Sequence, residues 1–195
     1  MKTLIVVANP DANSLTHSIA TKISEGLTGS GKGGTVEIAD LVAQGFSPTF
    51  AAADRAAYHQ IQPLPADVLA EQARLDGTDQ LVLVFPVYWW SMPAVLKGWI
   101  DRVFVNGWAF EYSAEGGFVP KLDKLTVQVA LVAGGDIGSF ERHGYLDAVK
   151  KVIGEGIFEY CGCKVENFQF FWESETSDAA AQLVAAQDLG ARIAK

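Results

Sequence analysis

Five short apolar runs recur along this 195-residue chain, at residues 3–8, 36–39, 81–85, 125–132 and 165–171. Several are almost unbroken in Val, Leu and Ile. A strand with water on one face alternates apolar and polar residues, whereas a strand covered on both faces does not need to. Helical periodicity fills the intervals. Leu15, Ile19, Ile23 and Leu27 repeat every four residues as a one-sided stripe. Val95, Leu96, Trp99, Ile100, Val103 and Phe104 do so more strongly, with Lys97 and Asp101 as a solvent-facing i,i+4 pair. Further helices are predicted over residues 145–160 and 178–194. Strands alternating with helices predict an α/β three-layer sandwich, a five-stranded parallel sheet with helices on both faces.

The length suits one domain over residues 1–195, enough to bury about 70% of the unfolded surface. The net charge of −8, with scattered Lys and Arg, argues against nucleic acid and anionic membranes as partners. The opening apolar run is too short for a secretion signal or a membrane span, so no direct membrane insertion is expected. The two cysteines, Cys161 and Cys163, flank one glycine, and no metal-ligand spacing accompanies them. That usage fits a soluble, reduced, cytoplasmic protein with no metal site. Residues 44–55 and 106–122 read as long loops rich in Gly, Pro and aromatics, a length that is usually functional or interface-forming.

In an open parallel sheet, ligands sit beyond the strand C-termini where the strand order reverses. If the order is 2-1-3-4-5, strands one, three and four are neighbours and the loops after them converge. The first, residues 9–16 (NPDANSLT), is polar and opens a helix. Asn13 or Ser14 alone reads equally well as an N-cap; together with Thr16 they fit an anion site, since a helix N-terminus favours negative charge. It is neither GxGxxG nor a Walker loop. The loop after strand three holds Tyr88, Trp89 and Trp90 side by side, flat rigid contact area for a planar ligand. The loop after strand four, residues 133–139 (AGGDIGS), carries paired glycines, which let backbone N–H groups approach a ligand or simply make a turn. His17 reads as a solvated helix residue, and His143 is the one histidine expected near a reaction centre. No Ser-His-Asp arrangement is apparent.

The stretch FPVYWWSMPAVLKGWIDRVF, with GWAFEY after it, the N-terminal loop and the Gly-Gly turn, resembles the NAD(P)H:quinone oxidoreductase family of flavodoxin-like flavoproteins. That group includes mammalian quinone reductase and the bacterial modulator-of-drug-activity and potassium-efflux ancillary proteins. The resemblance covers roughly residues 1–145. It implies a flavodoxin-like fold and a homodimer with one flavin per subunit, FAD or alternatively FMN, and NAD(P)H as a transient co-substrate. Asn9, Asn13, Ser14, Leu15 and Thr16 would hold the phosphates and ribityl chain. Pro86, Val87, Tyr88, Trp89 and Trp90 would wall the isoalloxazine, with backbone N–H groups reaching its N5 and O4. Ala133, Gly134 and Gly135 would meet its pyrimidine edge, with Phe140 at the pocket edge. Phe110 and Tyr112 of the partner subunit would cover the open face, and His143 would lie by the reaction centre.

The chain departs from that family at several points. Asn9 stands where His is usual, Leu15 and Thr16 replace Phe and Asn, and Phe110 replaces the first of two tyrosines. Phe140 takes the position of a tyrosine, and His143 is off the usual histidine spacing. The departures at Phe110, Phe140 and His143 fall at the pocket edge, where an acceptor is chosen. The implied activity is two-electron hydride transfer by a ping-pong mechanism from NAD(P)H through flavin to a quinone or similar small aromatic acceptor. A flavodoxin-type electron carrier and a redox-sensing ancillary subunit of a potassium efflux system are the alternatives.

Overall fold

The computed structural model describes residues 1–29, 31 and 34–194. In chain order the strands are β1 (Lys2–Val7), β2 (Thr35–Asp40), β3 (Gln80–Pro86), β4 (Phe110–Ser113), β5 (Gly117–Pro120), β6 (Thr126–Val132) and β7 (Lys164–Phe171). The α-helices are α1 (Leu15–Gly29), α2 (Ala52–Tyr58), α3 (Ala66–Asp76), α4 (Ala94–Val103), α5 (Ile137–Arg142), α6 (Tyr145–Val149) and α7 (Ala179–Ile193), with a π-helical segment at Lys150–Glu159. The main sheet runs β2-β1-β3-β6-β7 with every neighbouring pair parallel. Counted without the separate antiparallel hairpin β4–β5, this is the expected 2-1-3-4-5 order.

The apolar runs are continuous because each strand feeds two cores. Leu4, Val6, Leu81, Leu83, Phe85, Val129 and Leu131 pack with Leu96, Trp99 and Ile100 of α4 and with Ile153 and Phe158. The residues between them, Ile5, Val7, Val82, Val84, Ala130 and Val132, pack with Ile19 and Ile23 of α1 and Ala186 and Leu189 of α7. Each Val, Leu, Ile or Phe side chain among them is worth about 1.5–3 kcal/mol when fully buried. Helices α1 and α7 approach so closely that a Cβ on Gly190 would lie 2.1 Å from the Ile23 carbonyl oxygen.

Three helices carry no sequence signal strong enough to anticipate them: α2, which starts inside the expected 44–55 loop, α3 and α5. The reason is clearest for α3, whose buried face is partly polar. Trp99 Nε1 donates to Glu71 Oε2 at 2.9 Å, and Gln72 Nε2 donates to the Val103 carbonyl at 2.9 Å. Hydrogen bonds to α4 thus take the place of an apolar stripe. The expected 106–122 loop contains the β4–β5 hairpin. The helix expected over 145–160 begins as α6 and widens into π geometry, where Tyr160 N–H donates to the Glu155 carbonyl five residues back. Gly154 and Gly156 lower the α preference there, and a Cβ on Gly154 would press within 3.3 Å of the Phe168 ring.

Arg102, only 5% exposed, ties the 44–55 segment to the sheet layer. Its Nε donates to Asp54 Oδ1 at 2.8 Å, its Nη1 and Nη2 grip both Asp67 oxygens at 2.6 and 3.0 Å, and Nη1 also reaches the Ser47 carbonyl at 2.8 Å. The guanidinium's hydrogen bonds and charge hold the Asp67 carboxyl below its usual range against partial burial. Replacing Arg102 with Met strands Asp54, which is 3% exposed, as a buried unpaired carboxylate. The expected loss in urea unfolding is about 3–5 kcal/mol. Lys97→Ala, which removes the exposed 2.6 Å pair with Asp101, should change stability by less than about 0.5 kcal/mol.

Candidate functional site

The sheet order puts the ends of β1, β3 and β6 side by side, so their loops meet at one edge. There a cleft of about 250 Å³ is lined by Val87, Trp89, Trp90, Ala133, Gly134, Gly135 and Phe140. Every one of these was singled out in the sequence as a cofactor contact.

The tryptophans lie on a tight turn. Tyr88 N–H donates to the Ser91 carbonyl at 2.9 Å and Ser91 N–H returns to the Tyr88 carbonyl at 3.1 Å. Between them Trp89 and Trp90 both occupy the left-handed region, with φ of 49° and 62°. Two consecutive left-handed residues are what a type I′ turn demands, a position normally filled by Asn-Gly. Bulky side chains there cost roughly 1–2 kcal/mol each. The strain sits at the cleft wall, where it holds one indole out in solvent, 93% exposed, and turns the other inward. Trp90 stacks on Tyr145 at 4.0 Å and 18°, and meets the edge of Phe140 at 5.1 Å. Phe140 is itself wedged against Trp172 at 4.9 Å and Phe170 at 5.9 Å. Tyr145 and Trp172 escaped the sequence reading, because each is an isolated aromatic outside any recognisable motif.

Backbone bookkeeping shows which groups are left to bind something. Pro86 has no N–H, Val87 donates to Val132 and Tyr88 to Ser91, which leaves Trp89 and Trp90 without partners among the described residues. Across the cleft Ala133 donates to Phe171, leaving Gly134 and Gly135. A Cβ on Gly134 would meet nothing within 4 Å, so the position is open to an occupant rather than packed. On the first loop, Asn13 and Ser14 donate to Asp11, leaving Leu15 and Thr16 at the start of α1. Asn9 braces that loop from behind. Its Nδ2 donates to Thr16 Oγ1 at 3.0 Å and its Oδ1 accepts from Asp11 N–H at 2.9 Å. Thr16 is 1% exposed, and its hydroxyl is already engaged by the Asn9 amide.

His17 is not the solvated residue expected from sequence, and a Ser-His-Asp chain is present. Ser14 Oγ lies 2.9 Å from His17 Nδ1, and His17 Nε2 lies 2.8 Å from Asp40 Oδ2 at the end of β2. The i,i+3 spacing of Ser14 and His17 was legible, but Asp40 is 23 residues further on and is brought in by the β1–β2 pairing. Burial opposes the Asp40 charge, yet the Ala43 N–H, the hydrogen bond and charge of His17 and the Val42 N–H together lower its pKa. Other expected residues stand apart from the cleft of their own chain. Phe110 packs on Phe118 and Tyr160 in the hairpin region, Tyr112 is 63% exposed, and neither lines it. His143 caps α5 and faces Tyr145 at 5.5 Å, one ring removed from Trp90. Cys161 and Cys163 are buried and their thiols pushed up to about 11 and about 12, which makes them inert.

The model of the Flavodoxin_2 family, described as a flavodoxin-like fold, matches residues 1–193. The chain belongs to this family. It is 29% identical over 184 residues to "NAD(P)H dehydrogenase [quinone] 1" of Rattus norvegicus, covering 84% of this chain and 66% of the rat protein. It is 30% identical over 187 residues to "Ribosyldihydronicotinamide dehydrogenase [quinone]" of Pongo abelii, covering 84% of this chain and 78% of that one. Among solved structures, the NAD(P)H:quinone oxidoreductase from Methanothermobacter marburgensis superposes with a TM-score of 0.88 at 26% identity, over 100% of this chain and 98% of its own. No helix among the described residues is long and apolar enough to cross a membrane.

The strained turn makes opposite predictions for its two tryptophans. Trp89→Gly relieves a left-handed conformation worth roughly 1–2 kcal/mol while adding roughly 0.5–1 kcal/mol of chain flexibility, so ligand-free stability should stay within about 1 kcal/mol. Trp90→Gly gains the same relief but loses the Tyr145 stack and the Phe140 contact. It should lower stability by about 1–3 kcal/mol in the same urea titration.

Proposed function

We propose that this flavodoxin-like chain is a flavin-dependent NAD(P)H:quinone oxidoreductase working by ping-pong hydride transfer, NAD(P)H and a quinone occupying one slot in turn. The observation that carries the reading is the cleft between the strained tryptophan turn and the glycine loop, with two unpartnered N–H groups on each side. The bound flavin, FAD in this reading with FMN as the alternative, supplies a ring that accepts and returns a hydride. Everything else falls to the chain's own residues.

The N–H groups of Trp89 and Trp90 would hold one edge of the ring, and those of Gly134 and Gly135 its pyrimidine edge. Fixed donors there stabilise negative charge as it develops and need no reorganisation. Val87, Trp90 and Phe140 give the ring a flat apolar wall. The first turn of α1 receives phosphate through the N–H groups of Leu15 and Thr16. Phe110 and Tyr112 lie on an exposed hairpin away from their own cleft, which suits a homodimer in which they cover the partner's ring. His143 acts at most through Tyr145, as a supporting rather than a contacting residue. A cytoplasmic setting agrees with the two reduced thiols.

The test is direct. Purified protein should carry extractable flavin, oxidise NAD(P)H in the presence of menadione, and give parallel double-reciprocal lines. Absence of both flavin and menadione-dependent oxidation would overturn the proposal. Gly134→Val should fill the open side of the cleft and weaken flavin binding by roughly tenfold or more, about 1.4 kcal/mol. Its fold should be undisturbed, since nothing lies within 4 Å of the new Cβ.

A further inference from the structure

The Ser14–His17–Asp40 chain sits at the turn that the flavin reading assigns to phosphate, and its hydrogen count is not neutral to what binds there. Asp40 is anchored at both oxygens: Oδ1 accepts from the N–H groups of Val42 and Ala43, both at 3.0 Å, and Oδ2 faces His17 Nε2 at 2.8 Å. A carboxylate only accepts, so Nε2 carries a proton. In neutral His17 the opposite nitrogen, Nδ1, is then a bare acceptor 2.9 Å from Ser14 Oγ, and the only hydrogen it can take is that of the Ser14 hydroxyl. The Ser14 oxygen meanwhile accepts from the His17 N–H at 3.4 Å as the cap of α1. With its hydrogen given to His17, Ser14 has none to give an anion.

Protonation reverses the polarity. Imidazolium donates from both nitrogens, so Nδ1–H now points at Ser14 Oγ and the hydroxyl hydrogen is released outward. A negatively charged oxygen at the N-terminus of α1 is the acceptor that hydrogen would meet, beside the N–H groups of Leu15 and Thr16. Anion and proton therefore favour one another through Ser14, by hydrogen bonding as well as by charge. Of the other charged groups nearby, Asp11 is turned to the Asn13 N–H at 2.9 Å, and α1 has no acidic residue in its first turn. Among the described residues, Asp40 is the one carboxylate in contact with His17.

The arrangement also differs from a hydrolytic triad. There the acid holds Nδ1 and the serine faces Nε2, whereas here the ring is reversed and the serine oxygen caps a helix.

We infer that Ser14, His17 and Asp40 form a proton-coupled phosphate clasp, in which His17 is a positioning residue that takes up a proton as phosphate binds and turns the Ser14 hydroxyl towards it. The balance is simple: one proton moves from solvent to His17 Nδ1, the Ser14 O–H changes acceptor from nitrogen to phosphate oxygen, and no covalent bond changes. The inference rests on the flavin reading above. It reaches further, because it makes flavin affinity pH-dependent through the phosphate and not through the ring. As the protonated form binds the anion better, affinity for a phosphorylated flavin falls as pH rises.

Flavin-stripped protein is titrated calorimetrically with FMN, FAD and riboflavin, in buffers of different ionisation enthalpy, from pH 6 to 9. The expected result is proton uptake on binding FMN or FAD, with none on binding riboflavin, which lacks phosphate. His17→Gln, checked for fold by its melting curve, should abolish the uptake and weaken FMN or FAD by roughly tenfold at pH 6.5, leaving riboflavin unaffected. Binding of a phosphorylated flavin without proton uptake, or with uptake unchanged in His17→Gln or equal for riboflavin, overturns the clasp and leaves the flavin reading standing. Failure to bind any of the three flavins overturns both.

Discussion

Covering a parallel sheet on both faces leaves a ligand only one way in. With Leu4, Val6, Leu81 and Leu83 sealed under α4 and the π-helical segment, and Ile5, Val7, Val82 and Val84 under α1 and α7, neither face can admit a molecule. What remains is the edge where strands end and their backbone hydrogen bonds run out. The site is assembled from that remainder. Among the described residues, three loops leave N–H groups unused, those of Leu15 and Thr16, Trp89 and Trp90, and Gly134 and Gly135 among them, while Asn13, Ser14, Val87, Tyr88 and Ala133 are claimed by the fold.

Two kinds of rigidity keep these donors in place. One is local strain: the tryptophan turn holds a left-handed backbone that neither residue would choose alone, clamped by its two hydrogen bonds and by the Tyr145 and Phe140 rings. The other is polar scaffolding at a distance. Arg102 draws Asp54, Asp67 and the Ser47 carbonyl onto α4, the helix that leads directly out of the aromatic loop. Asn9 does the same for the first loop, and Asp40 ties the turn after β2 to His17 of α1. In each case a paired or multiply bonded polar group, which would be costly to bury alone, adds to the apolar packing that holds the segment.

Much of the fold was legible because it follows from local pattern. The five apolar runs became the five strands of the main sheet to within a residue or two, and the Ile19–Ile23 and Leu96–Ile100 stripes became the inner faces of α1 and α4. The hidden parts were those whose stabilisation is non-local. Helix α3 buries Glu71 and Gln72 through partners on α4, so its own sequence looks too polar. The hairpin β4–β5 is short and mostly exposed, and reads as loop. At the site, the aromatic run and the paired glycines were plain to see. Tyr145, Trp172 and Asp40 were not, since each acquires meaning only from what lies against it.

Residue order alone determined the five strands of the main sheet and the helices α1, α4 and α7, that the sheet would be parallel and covered, and which loops could gather at its edge. These follow from periodicity and from the short-range stereochemistry of the chain. Folding in three dimensions settled which donors stay free and which side chains share protons. Those outcomes depend on distances between residues far apart in sequence: Val87 to Val132, Ala133 to Phe171, His17 to Asp40. A hydrogen bond is decided within about 3 Å, and no pattern along the chain encodes separations that fine.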